Sequence, residues 1–281
     1  CRMEITKDII HIQESETHNF SIKVHKNEEH QTQFLMESSP AIINTIRRII
    51  LDETPTVAPD TLVMHQNTSV MHDEVFAQRI GLIPIAVDPR KMDFPEDQIN
   101  ESNCVIFTLH MKAEKEPINV YSGDLQFTPL GSQLERLGNV RPIHEKILLL
   151  KLGSYQEIKC EIYCHKGIGK VHAKWAPASV CYFKMLPMFR YKGQQADWFN
   201  RSLKLDKAPK CPMKVFELEE IDIEKCTLCR SCLDDDLQIY LDDQHYLFTI
   251  EPVGYLNGVQ IMEEALKVLQ YKAQLVIDGF Q

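Results

Sequence analysis

Apolar and polar positions alternate along much of this chain, and the first third reads as strands followed by a helix. Phe20, Ile22 and Val24 alternate with polar partners, Asn27 to His30 makes a polar turn, and Gln33 to Glu37 returns. A hairpin is therefore predicted over 20–37. Ser38-Ser39-Pro40 is a helix start, with a hydroxyl cap and proline in the first turn. The helix at 41–53 has apolar residues at Ile42, Ile46 and Ile49 and also at Ile43 and Ile50, a broad apolar face that Pro55 ends. So many β-branched residues lower intrinsic helicity, so packing must hold it. Residues 56–67 read as extended and His72 to Ile80 as a short helix stopped by Gly81. Residues 88–103 are rich in Pro, Asp and Asn and read as a loop. Strands resume over Val105 to Met111. The clearest one carries Ile158, Cys160, Ile162 and Cys164 against Lys159, Glu161 and Tyr163.

Past a polar stretch at 192–208, Leu237, Ile239 and Leu241 predict one strand. Asp242-Asp243 predicts a turn, and Tyr246, Phe248 and Ile250 a second strand. Gly254 to Gly258 breaks the pattern, and a long helix begins near Val259 with two apolar stripes. Val259, Met262, Leu266, Leu269, Ala273 and Val276 form one; Ile261, Ala265, Val268 and Leu275 form the other. A helix resting on one sheet needs a single stripe. Two stripes predict burial on two sides, against its own sheet and against something else, with a helix enclosed in one larger core as the alternative.

Composition narrows the class. The 281 residues, 44% apolar and 25% charged, suffice for one large core or two smaller ones. A net charge of −9 argues against the chain gripping nucleic acid, which needs basic clusters. Arg47-Arg48 is only a pair. Apolar runs such as Leu82 to Val87 are far short of a membrane span, and no basic-then-apolar leader opens the sequence. A reducing compartment is expected, and no disulfides are drawn among the nine cysteines. Cys160 and Cys164 fall on the apolar face of a strand, where a thiol behaves as a small hydrophobe.

Three patterns invite chemistry. His72-Asp73-Glu74 suggests acid–base or metal chemistry, but sequential helix neighbours do not face one another, so a surface or capping role is expected. The run at 165–175 (H-K-G-I-G-K-V-H-A-K-W) sets glycines beside lysines. A phosphate loop needs four residues between its glycines and Ser or Thr after the lysine; here one residue separates Gly167 from Gly169, and Val171 follows Lys170. Glycine-permitted turns are expected instead. The third pattern is K-C-P-M-K followed by E-K-C-T-L-C-R-S-C-L. Cys226, Cys229 and Cys232 sit three apart, and Pro212 follows Cys211, the ligand grammar of a bacterial-type ferredoxin. Laid on that template, one cluster has all four ligands, Cys211, Cys226, Cys229 and Cys232. The other would need cysteines at Arg201, Lys204, Lys207 and Asp236 and has none. The expectation is one 4Fe-4S cluster, with a structural zinc at the same four cysteines as the alternative and unliganded thiols as a third reading. Taken alone, this stretch supports a single-cluster redox or electron-transfer protein.

Longer stretches resemble a known family. F-L-M-E-S-S-P-A-I-I-N-T-I-R-R-I-I-L-D-E-T-P-T-V-A and N-T-S-V-M-H-D-E-V-F-A-Q-R-I-G-L-I-P-I resemble the α-like assembly subunits of cellular RNA polymerases. G-N-V-R-P-I-H-E-K-I-L-L-L-K-L-G and C-H-K-G-I-G-K-V-H-A-K-W-A-P look most like the subunit shared by nuclear RNA polymerases I and III, with its archaeal counterpart next. The resemblance implies an α+β fold. A discontinuous dimerisation domain (1–54 and 237–281), a sheet plus two pairing helices, would hold an inserted mostly β domain (55–190) and a small ferredoxin-like segment (191–236). It implies a non-catalytic subunit that pairs with a smaller α-like subunit and forms the platform for the two large catalytic subunits. Direct nucleic-acid contact would be little or none, and no membrane is involved. The expected partner contacts are Ile42, Ile46, Ile49, Met262, Leu266 and Leu269. Regions His72–Ile85 and Gly167–Trp175 are expected against the large subunits. The RNA polymerase II counterpart carries a zinc loop in its inserted domain; residues 86–104 here hold only Cys104, so no zinc is expected there. The location implied is the nucleus, nucleolus and nucleoplasm, or the cytoplasm if the source is archaeal.

Overall fold

A computed structural model describes residues 3–6, 9–12, 20–203, 210–216, 221–234 and 236–279. The chain is α+β. In order the strands are β1 (Met3–Thr6), β2 (Ile9–Ile12), β3 (Ser21–Asn27), β4 (Thr32–Glu37), β5 (Thr56–Asn67), β6 (Cys104–Lys112), β7 (Ile118–Tyr121), β8 (Gln126–Thr128), β9 (Leu148–Leu152), β10 (Glu157–Gly167), β11 (Ala178–Tyr191), β12 (Gln194–Ala196) and β13 (Leu237–Pro252). The helices are α1 (Pro40–Asp52), α2 (Asp73–Gly81), α3 (Gln133–Leu137) and α4 (Gly258–Gly279). Two compact units result: Cys1–Thr45 with Tyr182–Thr249, and Ile46–Cys181 with Ile250–Gln281, the division running through α1, β11 and β13.

The first unit is built on a sheet of order β1-β2-β3-β4-β13-β11-β12. The predicted hairpin is present as the antiparallel pair β3–β4. In β4 every second residue (Thr32, Phe34, Met36) is buried, so the period of two does place one face inward. Tyr246 and Phe248 are fully buried and meet Phe183, edge-on at 5.6 Å and stacked at 6.4 Å respectively. One expectation fails here. The stretch 237–252 is a single strand, not two. Asp242 does what a turn aspartate does, accepting from the Gln244 and His245 backbone N–H groups at 2.9 and 3.2 Å. β13 lies between β4 and β11 in the sheet, and its backbone stays extended past Asp242 without reversal.

The second unit holds a four-stranded sheet, β5-β10-β6-β8, and the pair β7–β9. Ile158, Cys160, Ile162 and Cys164 of β10 are all buried, as their alternation predicts. Phe76 and Ile80 are the buried residues of α2, and they enter the same apolar core. The His72 side chain makes no capping bond, while Asp73 accepts from the Asn67 amide at 2.6 Å, a local role as expected. In the 165–175 run, a Cβ on Gly167 would lie 2.4 Å from the Trp175 ring. That indole donates to the His165 carbonyl at 3.0 Å. The Lys174 ammonium pairs with Asp60 at 2.7 Å and covers the Trp175 face at 4.3 Å.

The helix predicted at 41–53 is α1, and α4 begins within one residue of the predicted start near Val259. Pro40 opens α1, but the Ser38 hydroxyl is buried with no hydrogen-bond partner, so it does not cap the helix. Gly258 opens α4, where the Asn257 side chain accepts from Gln260 N–H at 2.9 Å and serves as the cap.

Candidate functional site

Two features stand apart from ordinary core and surface. The first lies on the helices. Ile43, Ile46, Ile49 and Ile50 of α1 are buried, and Ile42 is half-exposed. On α4, Ile261, Met262, Ala265 and Leu266 are buried, Val268 and Leu269 half-exposed, and every described residue from Gln270 onward exposed. The six residues expected to meet a partner thus divide. Ile46, Ile49, Met262 and Leu266 are already covered within the chain, whereas Ile42 and Leu269 keep part of their surface. What the stripes did not reveal is the last two turns of α4. Tyr271, Leu275, Val276 and Ile277 are 65%, 52%, 60% and 54% exposed, four large apolar side chains left uncovered in the last turns of one helix. Their apolar character was visible in the sequence; their exposure was not.

The second feature is the cysteine centre in the first unit. Strands β11 and β12 form a tight hairpin through Lys192 and Gly193, both in the left-handed region. The segment that follows packs Val215, Phe216, Ile221 and Ile223 against Phe189 and Leu237. Cys211, Cys226, Cys229 and Cys232 all line one small cavity, together with Phe189 and Ile239. Cys226 and Cys232 are buried, Cys211 is half-buried and Cys229 is exposed. Three non-glycine residues in this segment, Lys214, Leu228 and Arg230, hold φ of 57°, 58° and 60°. Side chains avoid this conformation, and its clustering within one ligand-like loop is where such strain is normally retained.

That backbone turns N–H groups toward sulfur. Leu228 N–H donates to Cys226, and Ser231 N–H donates to Cys229, the same two-residue step twice. The Ser231 bonds hold the Cys229 thiol below its usual range, favouring the thiolate. Burial pushes Cys226 and Cys232 up. Among the described residues no three His, Cys, Asp or Glu side chains are grouped to hold a single metal ion. A lone zinc needs four sulfurs about 2.3 Å from one point, whereas a cubane offers a separate iron to each thiolate. Four thiols line one cavity, two with amide donors on sulfur, a donor set that suits either of the thiolate-bound groups expected there. Of the positions a second cluster would use, Arg201 meets Glu224 and Asp236 pairs with Lys192; Lys204 and Lys207 lie outside the described residues.

Glu224, two residues before Cys226 in a 3-10 turn at Ile223–Lys225, sits in a network of cations. Its carboxylate meets His25 at 3.0 Å, Lys26 at 2.7 Å and Arg201 at 3.9 Å. Burial pushes this carboxyl up, but the Lys26 hydrogen bond, with the His25 ring beside it, outweighs burial and leaves it below the usual range. Sequence reading missed Glu224, because nothing local to it signals partners about two hundred residues away.

The second unit has a further concavity, a cleft of about 390 Å³ lined by Asp60 and Leu62 of β5, Glu74 and Gln78 of α2, and by His172 and Lys174. It brings together the two regions expected against large subunits.

Comparison with known proteins agrees with this architecture. The family described as RNA polymerase Rpb3/RpoA insert domain matches residues 67–180. The DNA-directed RNA polymerases I and III subunit rpac1 of Dictyostelium discoideum is 33% identical over 290 residues, covering 92% of this chain and 81% of its own length. The human subunit RPAC1 is 29% identical, covering 92% and 84%. The archaeal RNA polymerase subunit Rpo3 of Methanosphaera stadtmanae is 29% identical, covering 92% and 97%.

Proposed function

We propose, since the chain belongs to the family of α-like subunits of DNA-directed RNA polymerases I and III, that it is a non-catalytic assembly subunit. It pairs with a smaller α-like subunit, and the pair is the platform on which the two large catalytic subunits assemble. We read residues 1–54 and 237–281 as the pairing domain, 55–190 as the insert and 191–236 as the cluster segment. In a eukaryotic source its place is the nucleus.

The observation that carries this reading is the exposed apolar end of α4. A helix that buries Ile261 to Leu266 within its own chain and then presents Tyr271, Leu275, Val276 and Ile277 to solvent is half of a helix pair. On α4 the partner surface comprises these residues with Leu269, above the buried Met262 and Leu266, and on α1 the half-exposed Ile42 is a separate candidate contact. The cleft between β5 and α2 is the surface offered to a large subunit. Cys211, Cys226, Cys229 and Cys232 hold one 4Fe-4S cluster, which when bound supplies iron–thiolate bonds that staple a segment with little regular structure. The electron-carrier reading rests on that segment alone, whereas similarity to polymerase subunits extends over 92% of the chain.

Co-expression tests the assignment. The chain alone is expected to self-associate and, with a smaller α-like subunit, to elute as a single heterodimer. A monodisperse chain that ignores such a partner would overturn the assignment.

A further inference from the structure

We propose that Glu224 is a positioning residue, a clasp that holds the four thiols of the cysteine centre together whether or not a cluster is bound. Only the iron measurement below rests on the cluster reading.

The segment around the thiols has little regular structure of its own; the 3-10 turn at Ile223–Lys225 is its one helical element among the described residues. Its position must then come from side chains. Glu224 is where they meet. His25 and Lys26 reach its carboxylate from β3, and Arg201 from the stretch after β12. The Lys184 ammonium from β11 donates to its main-chain carbonyl at 2.8 Å. Separate parts of one unit thus converge on a single residue two positions from a ligand. These partners are themselves fixed. The His25 ring stands edge-on to Trp198 at 5.1 Å, the Arg201 guanidinium lies over the same indole at 4.6 Å, and the Arg201 carbonyl accepts from Ile221 N–H at 2.9 Å.

An isolated surface ion pair would do little. This carboxylate is 25% exposed and engages more than one cation, the setting in which charge-assisted bonds fix geometry. The arrangement also suits an anionic centre, since a half-buried ammonium and a cation network neutralise its surroundings.

The test uses the full chain, reduced and stripped of metal, labelled with N-ethylmaleimide and read by mass spectrometry cysteine by cysteine. Exposed Cys229 is the internal reference, and buried Cys160 of the second unit reports general unfolding. In Glu224→Ala and Glu224→Gln, Cys226 and Cys232 are expected to label about tenfold faster, the change expected when local opening becomes easier by one charge-assisted contact. Cys229 and Cys160 should be unchanged. Lys184→Met should act in the same direction, with protection restored in Lys184→Arg. Raising salt should speed labelling in the wild type and not in Glu224→Gln. Unchanged rates in Glu224→Ala, protection retained in Glu224→Gln, or faster labelling of Cys160 as well, would each overturn the clasp. In parallel, anaerobically reconstituted protein should lose iron to a chelator faster in Glu224→Ala. If the wild type takes up no iron while the labelling result holds, the cluster reading falls and the clasp stands. If it takes up about four irons and labelling is unaffected, the clasp falls and the cluster stands.

Discussion

Gly169 lies so close to Leu51 that a Cβ at position 169 would be 2.0 Å from the Leu51 carbonyl oxygen. The adjoining Lys170 N–H donates to the Asp52 carbonyl at 2.7 Å. The end of α1 is thereby closed by the glycine run that, as sequence, invited a phosphate-loop reading. The glycines are there because backbone and an indole approach them, not because an anion does. Replacing Gly169 by Ala must push main chain apart. A loss of about 1–3 kcal/mol or more is expected, seen as a lower urea midpoint at unchanged slope. A neutral Gly169→Ala would mean that the contact is not made in solution.

Pairing and folding separate along α4. Leu275→Asp and Ile277→Asp should each cost about 2 kcal/mol or more of partner binding and leave the stability of the chain almost unaltered. Met262→Ala, by contrast, empties a buried site and should lower stability by about 2–5 kcal/mol. Pull-down with the smaller subunit, beside thermal unfolding of the chain, distinguishes them. Equal effects of all three on stability would place the helix end inside a core.

Cys229 is the exposed member of the cysteine centre, with its thiolate favoured by Ser231. Anaerobic purification should give about four irons per chain, and Cys229→Ser should lower that content. The variant should also loosen residues 210–236 to protease, while partner binding through α4 persists. A colourless protein with stoichiometric zinc, or loss of partner binding in the variant, would refute this separation of roles.

Alkaline stability follows from the buried thiols of the second unit. Burial pushes Cys160 and Cys181 from 9.0 to about 12, and Cys104 to about 11. The unfolded chain ionises these groups first, so above pH 9 it binds fewer protons than the folded one and stability falls as pH rises. Their contribution is complete below pH 9.0 and lost as the pH climbs toward 11 and 12. Cys160→Ala should lower stability at every pH through its cavity, yet flatten the decline between pH 8 and 10 measured by urea unfolding. An unchanged slope would show that Cys160 is not shielded.

Local rules in the chain sufficed for much of this. Alternation at Ile158 to Cys164 fixes which face of β10 is buried, because a strand has only two faces. Pro40, Pro55 and Gly258 bound the helices, since their backbone limits act within a residue or two. The thiol spacing at Cys226, Cys229 and Cys232 states a ligand grammar that needs no fold to be read.

What remained depended on neighbours distant in sequence. Asp242-Asp243 has the composition of a turn, but strands on both sides of β13 hold the backbone extended. The two stripes of α4 promised burial along its length, and burial stops near Leu269, leaving the apolar side chains of its last turns exposed. Periodicity says which side of a helix is apolar; only the extent of the surface beneath it says how far along that side is covered. Glu224 looks like any surface carboxylate until β3 and β11 bring His25, Lys26 and Lys184 to it, since a charge network exists only once the fold has assembled its members.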